Sequence, residues 1–178
     1  TRFWPVSTST YPKQYLNLIG QSSLLENSLD RLEGLIEPEN RYIVTTVDQK
    51  NLVEKNSKNK IKKSNGIILE PSGRNTAPCI LLSIAHLISE GLSNDDIVAI
   101  LPSDHVVQNT EKFKESLDLA SKTASESNNI VTIGINPSKP HTGYGYIHKG
   151  DQLGDKLFPV KSFVEKPDLD TAKAYVES

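Results

Sequence analysis

Residues 97–101 (IVAIL) constrain the fold more than any other stretch of this chain. Every position is apolar, with no alternation, and a polar loop follows at once, Leu101-Pro102-Ser103-Asp104-His105. A strand of that composition needs cover on both faces, as where helices flank a parallel sheet. The patterns around it supply that setting. Residues 41–47 (RYIVTTV), 66–69 (GIIL) and 130–135 (IVTIGI) are β-branched runs that also predict strands. Ser23-Leu24-Leu25-Glu26 matches a capping box, and Leu25, Leu29, Leu32 and Ile36 follow it at helical spacing, with Gly34 weakening the end. A short helix is expected over 49–55. Thr76 is expected to cap a further helix with Pro78 in its first turn, carrying Ile80, Leu81, Ile84, Leu87 and Ile88 and stopping at Gly91. Another helix is expected over 111–126, two extended segments over 142–148 and 160–164, and a helical pattern closes the chain. Strand, helix and strand alternate, so the class is α/β, with a mostly parallel sheet and helices on both faces. The lysine-rich stretch 58–65 reads as a solvated loop.

Composition removes several functions. The 178 residues carry a formal net charge of -2, and no basic excess suits a nucleic-acid polymer. A chain of this size can bury about two-thirds of its unfolded surface without a disulfide or metal staple. No apolar run approaches the ~18 residues of a membrane span, and the start has no signal-peptide pattern. The one cysteine, Cys79, cannot form an internal disulfide, which fits a cytoplasmic location. The chain contains no methionine and ends inside a helical pattern, so it is expected to be incomplete at both ends.

In an open α/β sheet, ligands bind beyond the carboxyl ends of the strands. Asp104 leaves the apolar strand there, where a carboxylate can hold a hard cation such as Mg²⁺ beside phosphate oxygens, or simply bond its own loop. Lys13 sits in a hydroxyl-rich stretch with Ser7, Thr8, Ser9 and Thr10, suited to phosphate or merely solvated. Residues 70–78 (EPSGRNTAP) join a strand to a helix N-terminus, whose unpaired N–H groups favour anions and polar ligand edges; an ordinary turn is the plain alternative. Gly143 and Gly145 flank Tyr144 in an extended segment and suggest close backbone approach by a ligand. Glu165 and Lys166 end a strand side by side, and strand alternation should turn them to opposite faces. His86, on an apolar helix, is expected to be a satisfied structural histidine. His105 lacks the partners of a catalytic triad. Trp4 is expected to pack.

Taken together, these motifs carry a resemblance. Thr1-Arg2-Phe3-Trp4-Pro5 with Pro12-Lys13-Gln14 resembles the tail of the nucleotidyltransferase signature G-x-G-T-R-x-x-P…P-K. EPSGRNTAP at 70–78, LPSDH at 101–105, TGYGYI at 142–147 and FVEKP at 163–167 follow in order. The set resembles the bacterial mannose-1-phosphate guanylyltransferases within the sugar nucleotidyltransferase family, across nearly the whole chain. That resemblance implies a Rossmann-like nucleotidyltransferase domain over 1–178 and transfer of GMP from GTP to mannose 1-phosphate, releasing diphosphate, with Mg²⁺. It implies that Arg2 and Lys13 bind the triphosphate and that Asp104 holds the metal, all three serving catalysis. Glu70, Gly73, Arg74 and Asn75 would lie by guanine and ribose, Gly145 and Glu165 by the sugar, and Lys166 by its phosphate. Homo-oligomerisation is compatible with it.

The chemistry agrees: a phosphate nucleophile is already ionised, so cations and positioning matter more than a general base. The departures are at the ends. The glycines of the signature do not precede Thr1, and the second metal-binding aspartate is expected past Ser178, so this chain alone is not expected to turn over. Transfer to another sugar phosphate, or a non-catalytic regulatory homologue on the same fold, are the competing readings.

Overall fold

A computed structural model describes residues 5–8, 10–18 and 20–177. The chain forms two compact units, one running to Val131 and one from Thr132 onward.

The first unit begins around α1 (Leu24–Asp30). Its capping box is present in both directions: Ser23 Oγ accepts from the Glu26 N–H (3.2 Å), and Glu26 accepts from the Ser23 N–H (2.8 Å). Leu24, Leu25 and Leu29 are buried. The α-helix stops at Asp30, short of Ile36, although Leu32 in the following turns is still buried. The buried guanidinium of Arg41 donates to the carbonyls of Leu29, Leu32, Ile36 and Lys60, tying the end of α1 and the turns after it to the loop at residue 60.

Strand β1 (Ile43–Thr46) pairs in parallel with β2 (Ile67–Glu70), Ile43 opposite Ile67 and Thr46 opposite Glu70. Between them runs α2 (Lys50–Asn56). Tyr15, Leu25, Leu29, Val53 and Ile61 form one buried cluster, with Ile43, Leu52 and Ile67 packed against it. Ile61 lies inside the lysine-rich stretch, so that stretch is not the plain solvated loop expected. Its one apolar side chain is drawn into the core, while Lys60 pairs with Asp30 (2.7 Å) and Lys62 with Glu90 (2.9 Å). Lys62 also reaches the Tyr42 hydroxyl (3.0 Å), and these two bonds hold its ammonium above the ordinary lysine range.

Helix α3 (Thr76–Ser89) packs on β2. Pro78 stands in its first turn as expected, but Asn75, not Thr76, occupies the cap position, and its side chain makes no capping bond. Gly91, at φ +100, follows the helix end. His86 is satisfied: its Nε2 lies 3.2 Å from the Asn65 carbonyl and its ring meets Tyr42 edge-on. Helix α4 (Thr110–Ser127) is capped by Asn109, which accepts from the Lys112 N–H (2.9 Å), and ends on the left-handed Asn128.

The α/β class and the parallel pairing match the sequence reading. The runs 97–101 and 130–135 differ from it: neither pairs as a strand with any described residue. A strand exists through its ladder, and apolar composition alone cannot replace missing partners. Ile97, Ile100 and Ile130 are accordingly exposed.

The second unit is a hairpin and a helix. Strand β3 (Gly145–Lys149) pairs antiparallel with β4 (Val160–Glu165), with a register irregularity at His148 and Lys149. Helix α5 (Leu169–Glu177) follows, and Asp168 accepts from the Thr171 N–H (2.8 Å) at its start. Among the described residues no helix is long and apolar enough to cross a membrane.

Candidate active site

Lys13 opens a single 3₁₀ turn, Lys13–Tyr15, that is fixed from behind. The Tyr15 ring is buried in the core, and its hydroxyl donates to Gln49 Oε1 (3.1 Å), which also accepts from Gln14 Nε2 (3.1 Å). Burial pushes the Tyr15 phenol above its usual range, so it stays a neutral donor. From this anchored turn the Lys13 ammonium reaches Asp104 Oδ2 in an ion pair, with both side chains partly open to solvent. Two motif residues far apart in sequence are thus brought together at one place.

The hydroxyl-rich stretch before Lys13 is partly committed to its own turn. Thr8 Oγ1 accepts from the Tyr11 N–H (3.0 Å) and lies 3.1 Å from Thr10 Oγ1, and Ser7 is buried. Arg2, Trp4 and Ser9 lie outside the described residues.

Glu70 closes β2, and residues 71–78 are exposed. A Cβ added at Gly73 would meet nothing within 4 Å, and Arg74 Nε donates to Ser72 Oγ (3.3 Å). Asn75 sits at φ 68, ψ -171. Only glycine adopts that region readily, and such strain persists where surrounding structure enforces it, often at a binding site. With no side-chain cap from Asn75, the first N–H groups of α3 face outward unsatisfied by that route.

In the second unit Gly145 stands opposite Glu165. A Cβ on Gly145 would run into Phe163 Cζ and come 2.9 Å from Glu165 Oε2, so the hairpin's own side chains fill that space. At Gly143 the obstacle is the His141 ring, 2.8 Å away, whose Nδ1 accepts from the Gly143 N–H (2.9 Å). Glu165 and Lys166 do not diverge as strand alternation predicted: Lys166 Nζ bonds Glu165 Oε1 at 2.5 Å. The reason is local. β4 ends at Glu165, and Lys166 is left-handed at φ 46, so the alternation stops one residue early. The Lys166 N–H still donates to the Tyr144 carbonyl (3.2 Å), closing the hairpin end.

Among the described residues, no group of three or more His, Cys, Asp or Glu is gathered for a metal. Asp104, paired with Lys13, is the carboxylate that the motifs single out for that role. Sequence reasoning missed two buried arginines, one under the first unit's core and one beside Asp104. Arg41 opens a strand pattern and gives no local sign of burial. Arg31, off the apolar stripe of α1, donates from Nη1 to the His105 carbonyl (2.8 Å) and from Nη2 to Ser28 Oγ (2.8 Å).

Residues 1–178 match the nucleotidyl transferase family. A mannose-1-phosphate guanylyltransferase of Klebsiella pneumoniae is 40% identical over 181 residues, covering 100% of this chain and 38% of that protein. The one from Salmonella muenchen is 39% identical over 178 residues, covering 100% of this chain and 37% of its own length. The crystal structure of mannose-1-phosphate geranyltransferase from Thermus thermophilus superposes with a TM-score of 0.86 at 34% identity, over 99% of this chain and 50% of that one. The chain therefore spans well under half the length of the curated relatives it matches.

Proposed function

The chain belongs to the nucleotidyl transferase family, and from that premise we propose that it handles GTP and mannose 1-phosphate as part of a mannose-1-phosphate guanylyltransferase. The observation that supports this reading best is the Lys13–Asp104 ion pair, which joins the two charged motif residues that the described structure contains for the triphosphate end.

In the reaction, an oxygen of the sugar phosphate attacks the α-phosphorus of GTP. The new O–P bond forms as the bond to the β-phosphate oxygen breaks, and diphosphate leaves with the electron pair. No proton need be removed from the nucleophile, so the work of the protein is to collect anions in line and neutralise spreading charge. Lys13 and Arg2 supply positive charge to the triphosphate. Asp104 fits a divalent cation on the chemistry of its donor: Mg²⁺ needs only one or two carboxylates, with water and phosphate oxygens completing the shell. When bound there, Mg²⁺ supplies Lewis-acid neutralisation of the phosphates. Lys13 and Asp104 neutralise each other in this structure; with substrate bound, Lys13 would serve the phosphates and Asp104 would be free to hold the cation.

Glu70, Gly73, Arg74 and Asn75 serve the guanine and ribose, the open space over Gly73 admitting a flat base to the backbone. Gly145 and Glu165 serve the sugar, and Lys166 its phosphate. The Lys166–Glu165 pair would open to share its charges between phosphate and sugar hydroxyl. The setting proposed is the cytoplasm.

The test uses the protein from its complete reading frame, assayed for diphosphate release with GTP, ATP, UTP and dTTP against mannose and glucose 1-phosphates. GTP with mannose 1-phosphate should give the highest kcat/KM; a clear preference for another pair would reassign the substrates.

A further inference from the structure

Among the described residues, the segment that carries Asp104 shows few direct bonds once Asp104 itself is set aside. Within 97–108, the polar contacts to the rest of the first unit, among the described residues, are the Lys13–Asp104 ion pair and the bond from Arg31 Nη1 to the His105 carbonyl. The ion pair must open for both residues to serve substrate. Among the described residues, Arg31 then remains the direct side-chain tie on the residue that follows Asp104.

Arg31 is built for that task. It caps the C-terminal end of α1 and is 8% exposed. Its Nη2 donates to Ser28 Oγ, and that hydroxyl is itself oriented by donating to the Leu24 carbonyl (2.9 Å). The guanidinium lies over the Phe113 ring of α4, 5.5 Å from its centre. Its Nε is buried without a partner, and no carboxylate pairs with Arg31 among the described ion pairs. A buried cation kept without a counter-charge is costly, and a merely apolar contact would be filled more cheaply by leucine. What an arginine adds here is a rigid planar donor locked on two sides and aimed at one carbonyl.

We propose that Arg31 is a positioning residue for Asp104: through the His105 carbonyl it fixes the backbone of the following residue and so sets where the Asp104 carboxylate stands for the divalent cation and the nucleotide phosphates. The proposal rests on Asp104 being the metal-bearing carboxylate.

The experiment uses the complete protein and the variants Arg31→Met, Arg31→Lys, Ser28→Ala and Asp104→Asn, with the double variant Arg31→Met/Asp104→Asn. Mn²⁺ binding in the presence of a non-hydrolysable GTP analogue is followed by loss of the free-ion EPR signal, and Mg²⁺ half-saturation by steady-state rate. Loss of a charge-assisted bond should weaken metal binding about 10-fold in Arg31→Met, with the KM for mannose 1-phosphate unchanged. Arg31→Lys should fall between Arg31→Met and the unaltered protein, since lysine keeps the charge but not the fork. Ser28→Ala removes one side of the lock and should shift metal binding about 3-fold with the fold intact, which decides the matter if Arg31→Met does not fold. In the double variant the Arg31 change should add nothing. Folded Arg31→Met, or Ser28→Ala, with metal binding within experimental error of the unaltered protein overturns the proposal while leaving Asp104 in its role. Asp104→Asn with undiminished metal binding instead removes the underlying reading, and the proposal with it.

Discussion

Asp104 and Lys13 neutralise each other in this structure, and the proposed reaction gives each a different partner. That exchange makes the two residues separable. Asp104→Asn should lower turnover about 10²-fold or more, with the loss partly offset by high Mg²⁺, whereas Lys13→Met should chiefly raise the KM for GTP. Circular dichroism should be unchanged in both, because the two side chains are partly exposed. An Asp104→Asn enzyme with unaltered rates at limiting Mg²⁺ would remove Asp104 from the site. Asn75 offers a second residue-scale test. Its backbone lies where a Cβ is strained, so Asn75→Gly should keep or raise stability, and Asn75→Ala should cost about 1 kcal/mol in urea unfolding. If the side chain touches nucleotide, both variants lose GTP affinity alike. If only the backbone conformation matters, the glycine variant keeps it.

Among the elements, α1 shows how a local signal produces a measurable stability. Ser23→Ala should cost about 1 kcal/mol by removing the cap. The Ser23 N–H holds the Glu26 carboxyl below its usual range. A lowered folded-state value means that this stabilisation is present above the unfolded value near 4.5 and is lost as pH falls through the folded one. The Tm difference between the protein and Glu26→Gln should therefore be visible at neutral pH and shrink toward acid; a difference that grows as pH falls would contradict the assignment. The β3–β4 hairpin makes the opposite demand, for the absence of a side chain. Gly145→Ala would drive a methyl into the Phe163 ring and the Glu165 carboxylate, for a loss of roughly 1–3 kcal/mol. Adding Phe163→Ala should recover part of it, and the double-mutant cycle in urea measures that coupling.

Over the whole molecule the proposed site residues divide between the two units, Lys13, Glu70–Asn75 and Asp104 in the first, Gly145, Glu165 and Lys166 in the second. The division predicts separable kinetics. Variants across 70–75 should change the GTP/ATP ratio of kcat/KM, since each unsatisfied polar group at a base edge costs on the order of 1–3 kcal/mol. Glu165→Gln and Lys166→Ala should instead raise the KM for mannose 1-phosphate and spare that for GTP. Because Glu165 and Lys166 bond each other here, their effects should be less than additive. A rise in the GTP KM for the Glu165 or Lys166 variants would mean that the two sets of roles are exchanged.

What was legible in the sequence is what depends on neighbours along the chain. The capping box at Ser23 and Glu26, Pro78 in the first turn of α3, Gly91 beyond its end and the extent of α4 each follow from contacts within a few residues. The order of the charged motifs was likewise enough to point to the nucleotidyl transferase family. Other features needed the folded chain, because both partners of an interaction had to be placed. Nothing near Arg41 announces the four carbonyls it collects, and nothing near Ile61 announces a core position within a run of lysines. The run 97–101 has strand composition, yet a strand is completed only by a neighbour's backbone, and among the described residues it has none. The meeting of Lys13 with Asp104, and the hold of Arg31 on the His105 carbonyl, are set by tertiary packing, which brings together groups whose attraction acts across space and leaves no mark on the local sequence.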